Sequence, residues 1–149
     1  MMMLEGSNTL PGWGIVPNIA VRDVDLAVQF YQKAFGSEVI LRHPKPDGSI
    51  SHARLRIGNS LLILSSDDRL DGVTRTGSPS TLENTSVSLE LFVDDFDGAL
   101  ERALLAGAEM SKAPETEACI GDRVCSLVDP FGHRWMLSTF IDDSGALCI

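Results

Sequence analysis

Basic side chains are scarce in this sequence: 12 Lys and Arg stand against 21 Asp and Glu, for a formal net charge of −9. That balance disfavours nucleic acid, and none is expected as a partner, because gripping phosphates requires a basic footprint. No Lys/Arg cluster suits an anionic membrane surface either. Such a charge keeps a domain soluble and steers cationic small molecules toward it. Cysteine is also sparse. Cys119, Cys125 and Cys148 form no C-x-x-C spacing and no disulfide framework, so a reducing compartment is expected. Cys125 sits in an apolar run and reads as a small core residue, whereas Cys148 reads as exposed. No apolar stretch reaches the ~20 residues of a membrane span. The opening Met1–Ser7 lacks the basic region of a signal peptide, so a cytoplasmic protein is expected. Neither a Gly-x-Ser-x-Gly elbow nor a phosphate-cradling glycine loop occurs, and no nucleophile–base arrangement is visible.

What the chain does have is an internal repeat. At 149 residues and 44% hydrophobic content, it is sized for one domain or two fused halves with a core. Residues Ile19–Val28 and Leu91–Leu100 share Val, Asp, Asp and Ala in register, at an offset of 72 residues from Val21 to Val93. Two copies at so long a period point to a duplicated supersecondary unit rather than a solenoid. Each copy opens with an apolar strand, near 15–22 and 86–93. An Asp cap follows, Asp23 or Asp25 in the first copy and Asp95 or Asp97 in the second. Helices over 24–35 and 96–106 show i, i+3, i+4, i+7 periodicity and end at Gly36 and Gly107. The first stripe reads Val24, Ala27, Val28, Tyr31, Ala34 and Phe35; the second reads Phe96, Ala99, Leu100, Ala103 and Leu104.

Three strands should follow each helix: 37–42, 49–57 and 60–64, then 109–113, 123–128 and 133–139. Pro44–Gly48, Gly58-Asn59 and Asp129–Gly132 supply turns. The expectation is an α+β fold of two tandem βαβββ units. Its boundaries are a lead-in 1–14, a first unit 15–64, a linker 65–85, a second unit 86–139 and a tail 140–149. Glu115 and Glu117 read as a solvated loop. Trp13 reads as cover for an edge or interface.

Two segments carry a family resemblance. Val21–Tyr31 looks like the opening strand and helix of the vicinal oxygen chelate superfamily (glyoxalase, bleomycin-resistance protein, dioxygenase). Asp129-Pro130-Phe131-Gly132-His133 resembles its closing turn. The resemblance spans Ile15 to Thr139 and implies two curved four-stranded sheets that pair around a cup, with helices outside. It also implies a homodimer.

Metal-dependent members place His or Glu ligands at four equivalent strand positions, and the resemblance maps these onto Val16, Ile63, Ser88 and Met136. None is an imidazole or a carboxylate, so no metal and no cofactor are expected. Residues of matching strand parity form the expected ligand-binding set: Asn18, Glu90, Phe92, Arg134, Met136 and Ser138, with Leu61 and Ile63. His52 and Arg54 join from the third strand. Two roles stand open for Glu90, a base of raised pKa and a partner of Arg134, with the pairing the expectation. Trp135 has core parity. His43 reads as part of an exposed turn, and His133 as a hydrogen-bonding member of the closing turn.

The leading functional expectation is a metal-free protein that binds a small organic molecule, with a cationic drug or metabolite its most concrete form. Two alternatives stand beside it. One is a lyase, isomerase or dioxygenase with metal ligands relocated to positions such as His52 and Glu90. The other is an interaction module without a ligand.

Overall fold

A computed structural model describes residues 14–67, 77–116 and 122–140. Trp13, Glu117, Cys119 and Cys148 lie outside the described residues, as do residues 68–76 of the expected linker and 141–149 of the expected tail. The chain divides into two compact units, one running to Gln32 and from Gly36 to Ser78, the other holding Lys33–Phe35 and the residues from Pro79 onward.

The first unit contains β1 (Asn18–Val21), α1 (Val24–Phe35), β2 (Glu38–Pro44), β3 (Ile50–Ile57) and β4 (Ser60–Ser66). Helix α1 begins where Asp23, in extended backbone, accepts a 3.0 Å hydrogen bond from Leu26 N. It stops at Gly36, whose φ of 65° is left-handed and costs glycine nothing. Val24, Ala27, Val28, Tyr31 and Ala34 form its buried stripe. The sheet order is β1-β4-β3-β2, with β1 and β4 parallel and the other pairs antiparallel. Register places Ile19, Leu64 and Ala53 in one row of one face, and Leu62, Leu55 and Val39 in the next. Ala53, Leu55, Leu62 and Leu64 are buried there, each large side chain contributing about 2 kcal/mol. The opposite face carries Asn18, His52, Arg54 and Ser65.

The second unit contains α2 (Pro79–Leu82), β5 (Ser88–Phe92), α3 (Phe96–Ala106), β6 (Glu109–Thr116), β7 (Asp122–Val128) and β8 (Arg134–Phe140). Its sheet order, β5-β8-β7-β6, repeats the first. Asp95 caps α3 by accepting from Gly98 N at 3.1 Å, and Gly107 closes the helix as Gly36 closes α1. Asp97 is not a cap: it pairs with Arg123 Nη1 at 2.9 Å, and that guanidinium lies 4.5 Å over the Phe96 ring. The pair therefore ties α3 to β7, and α3 packs against β8. The stripe of α3 is narrower than its periodicity suggests, since Leu104 is 38% exposed. On the face that meets α3, Leu127, Trp135, Cys125 and Leu137 are buried.

Several strands outrun their sequence-based limits. β2 continues through His43 to Pro44, so His43 belongs to a strand and not to a turn. β6 continues through Pro114 to Thr116, placing Glu115 in a strand where it pairs with Lys112. Both strands are sheet edges, where a proline's missing N–H breaks no ladder bond. The expected linker also contains structure: Ser65 and Ser66 finish β4, and Pro79–Leu82 form a helical turn.

Candidate functional site

In each unit the sheet face opposite the buried one carries the candidate residues. Register defines its rows in the first unit: Asn18, Ile63, Arg54 and Leu41 form one, and Ala20, Ser65, His52 and His43 form the next. In the second unit Glu90, Met136, Ser126 and Lys112 form one row, and Phe92, Ser138, Val124 and Glu115 the next. Arg134 sits one row further along, beside Ser88. Asn18, His52 and Arg54 thus share one face. Glu90, Phe92, Arg134, Met136 and Ser138 share another.

The repeat is visible in the side-chain bonding. Ser65 Oγ donates to Asn18 Oδ1 at 2.7 Å, and Ser138 Oγ donates to Glu90 Oε1 at 2.7 Å. Asn18 and Glu90 hold the same place on β1 and β5, while Ser65 and Ser138 hold the same place on β4 and β8. One diagonal cross-strand bond therefore occurs twice, with an amide as acceptor in one copy and a carboxylate in the other. The expected pairing of Glu90 with Arg134 does not occur. Among the described residues Glu90 has Ser138 as its hydrogen-bond donor instead. Arg134 and Ser138 lie two residues to either side of Met136, the register partner of Glu90, and the bond forms on the Ser138 side.

Ser138 is fully buried, whereas Glu90 is exposed. Beside them Met136 is half-buried and Phe92 is 49% exposed. An anchored carboxylate next to an aromatic ring and a thioether can hold an organic cation through an ion pair, a cation–π contact and apolar contact.

Register also tests the metal positions. Ile63 pairs with Asn18, and Met136 pairs with Glu90, so the two positions are equivalent in the two sheets. An aliphatic and a thioether group stand where donors would be needed, and Val16 and Ser88 complete the set. These residues do not fit a divalent ion, which requires imidazole or carboxylate ligands. No group of three or more His, Cys, Asp or Glu that could hold a metal occurs among the described residues.

The remaining histidines resolve differently. His43 and His52 are directly opposed on β2 and β3, and their rings stack at 5.0 Å with a 15° interplanar angle. Sequence reasoning missed this pair because it assigned His43 to a turn. His133 lies in the closing turn, which is organised by Asp129. Asp129 Oδ1 accepts from the N–H groups of Phe131 and His133, and Oδ2 accepts from Trp135 Nε1, all at 2.9 Å. The hydrogen bond foreseen for His133 thus runs through its backbone. Burial raises the Cys125 thiol pKa above its ordinary value, as suits an inert core cysteine. No helix among the described residues is long and apolar enough to cross a membrane.

Comparison with known proteins agrees with this frame. The model of the Glyoxalase/Bleomycin resistance protein/Dioxygenase superfamily matches residues 15–137. An uncharacterized protein of Mycobacterium bovis is 39% identical over 121 residues, covering 81% of this chain and 79% of that one. A probable chloroplastic lactoylglutathione lyase of Arabidopsis thaliana is 24% identical over 129 residues, covering 84% of this chain and 34% of that one. Among solved structures, TioX from Micromonospora sp. ML1 superposes with a TM-score of 0.69 at 26% identity, covering 87% of this chain and all of that one.

Proposed function

The chain belongs to the glyoxalase/bleomycin resistance protein/dioxygenase superfamily, and from that premise we propose that it binds a small organic cation without a metal ion. The observation that carries the reading is the Glu90 carboxylate, fixed by buried Ser138 and flanked by Phe92 and Met136. One carboxylate oxygen takes the serine hydroxyl, and the other is left to face a ligand's positive charge. Ring and thioether contact supports an alkylated or aromatic cation over a small hydrated one, since a bulky cation sheds water at less cost. The net charge of −9 adds long-range attraction. Arg134 lies one row from Glu90 on the same sheet, whereas Asn18, His52 and Arg54 belong to the face of the first sheet.

The test has two arms. A thermal-shift and calorimetric screen of organic cations, antibiotics included, should find a ligand that stabilises the protein in proportion to its concentration. Glu90→Gln should weaken that ligand at least tenfold while leaving the melting temperature nearly unchanged. Metal analysis of protein purified without chelator is the second arm. A stoichiometric divalent ion, or a ligand indifferent to Glu90→Gln, would overturn the reading.

A further inference from the structure

The β2–β3 hairpin concentrates positive charge. Residues 38–57 hold four of the chain's 12 Lys and Arg and two of its three His, against two of its 21 acids. Both acids are accounted for. Glu38 stands opposite Arg56 in register. Asp47 accepts from the N–H and the hydroxyl of Ser49, which hold its pKa below the ordinary value. The hairpin is thus a cationic island in an acidic protein, and the faces of its strands sort the charges. Arg42 pairs with buried Ala53 and belongs to the other face, while Arg54, His52 and His43 share the candidate face.

Arg54 and Asn18 flank Ile63 in a single row, two strand spacings or about 10 Å apart. A long guanidinium side chain reaches most of that span. With its Oδ1 taken by the Ser65 hydroxyl, Asn18 keeps its amide N–H2 as the donor it can offer a ligand. One row on, the stacked imidazoles of His52 and His43 add ring N–H donors. Two half-buried or exposed donor groups over an aliphatic floor, with imidazoles alongside, suit a planar or tetrahedral oxyanion. The neighbouring guanidinium disfavours a metal ion at the histidine pair. We infer that this face of the first sheet, built from Asn18, Arg54 and His52 over Ile63, is a separate site for the carboxylate or phosphate group of a small molecule. It is opposite in polarity to the Glu90 face and stands independently of the organic-cation reading.

Isothermal titration of the full chain with citrate and with inorganic phosphate tests it, the two probes separating carboxylate from phosphate chemistry. Saturable binding of either is expected. Arg54→Gln should weaken it at least tenfold. Asn18→Asp should do the same, since the carboxylate keeps the Ser65 bond but repels the anion. Arg42→Gln removes the same charge from the other face and should change affinity less than threefold. Glu90→Gln should leave anion binding intact even if it abolishes organic-cation binding, so the two readings fail separately. Absence of saturable binding to both probes overturns the site. Equal losses from Arg42→Gln and Arg54→Gln also overturn it, because they indicate diffuse charge attraction.

Discussion

The two copies share one backbone and differ in what their open faces can hold. At equivalent places on β1 and β5 stand Asn18 and Glu90, each bonded to an equivalent serine. Around the first lie Arg54, His52 and His43; around the second lie Phe92, Met136 and Arg134. Duplication preserved the diagonal strand-to-strand bond, which needs only an acceptor on one strand and a hydroxyl on the other. The acceptor's charge was free to diverge, because a neutral amide and a carboxylate both satisfy the serine. The lesson is that the frame constrains where a polar group sits and leaves its sign open.

The copies also turn their last hairpins differently. In the first, Ile57 pairs with Ser60 across a two-residue Gly58-Asn59 turn. In the second, a longer turn is held by the three donors on Asp129. This contrast yields the largest expected effect. Asp129→Ala strands the Trp135 indole N–H and two backbone donors in a buried site, so urea denaturation should show a loss of about 3 kcal/mol or more. Asn59→Ala in the first copy should cost well under about 1 kcal/mol on the same assay. Comparable losses would dissolve the distinction between the turns.

Next in size is Gly132→Ala. Its φ of 86° is left-handed, and an added Cβ would lie 3.0 Å from both Pro79 Cβ and the backbone nitrogen of Ser80. A loss of about 2 kcal/mol is expected from backbone strain and crowding against α2. Retention of wild-type stability would mean that α2 yields freely.

The serine pair sharpens the comparison of the two faces. Ser138→Ala should cost about 1 kcal/mol, because Ser138 is fully buried and its partner is charged. Ser65→Ala, at a half-buried position with a neutral partner, should cost less than about 0.5 kcal/mol. The reverse order would indicate that the first face, and not the second, depends on its diagonal bond.

Smaller still is the helix-end contrast. Ser37 follows Gly36 and buries a hydroxyl with no partner among the described residues, whereas the second copy has Ala108 after Gly107. Ser37→Ala should leave stability unchanged or raise it by up to about 1 kcal/mol. A clear loss would reveal a partner for the hydroxyl. The last prediction concerns pH. Burial raises the Cys125 pKa, so its contribution is full below the unfolded thiol pKa of roughly 8.5 and is lost as pH rises beyond it. Cys125→Ala should flatten the alkaline fall in melting temperature. An unchanged alkaline slope would assign that fall to other groups.

Local signals and long-range pairing divided the labour unevenly. Both helices start and stop where the Asp caps and glycines place them, at Val24–Phe35 and Phe96–Ala106. Capping is local chemistry and is readable residue by residue. Strand ends were read short at Pro44 and Pro114, because proline terminates a central strand but is tolerated at an edge, and edge status is a property of the assembled sheet. The same limit applied to the candidate residues. Alternation alone assigned Asn18, Glu90, Phe92, Met136 and Ser138 to the candidate faces, whereas the choice between Ser138 and Arg134, which flank Met136 equally in register with Glu90, was made only by the folded side chains of β5 and β8. The His43–His52 stack depended likewise on how β2 aligns with β3.

By itself the sequence determined the duplicated βαβββ plan, the helix limits and the absence of metal-binding side chains at Val16, Ile63, Ser88 and Met136. Those features depend on residue type and short spacing, which survive without coordinates. Only the tertiary structure decided which polar groups meet, because partners 47 or 48 residues apart are brought together by strand register alone.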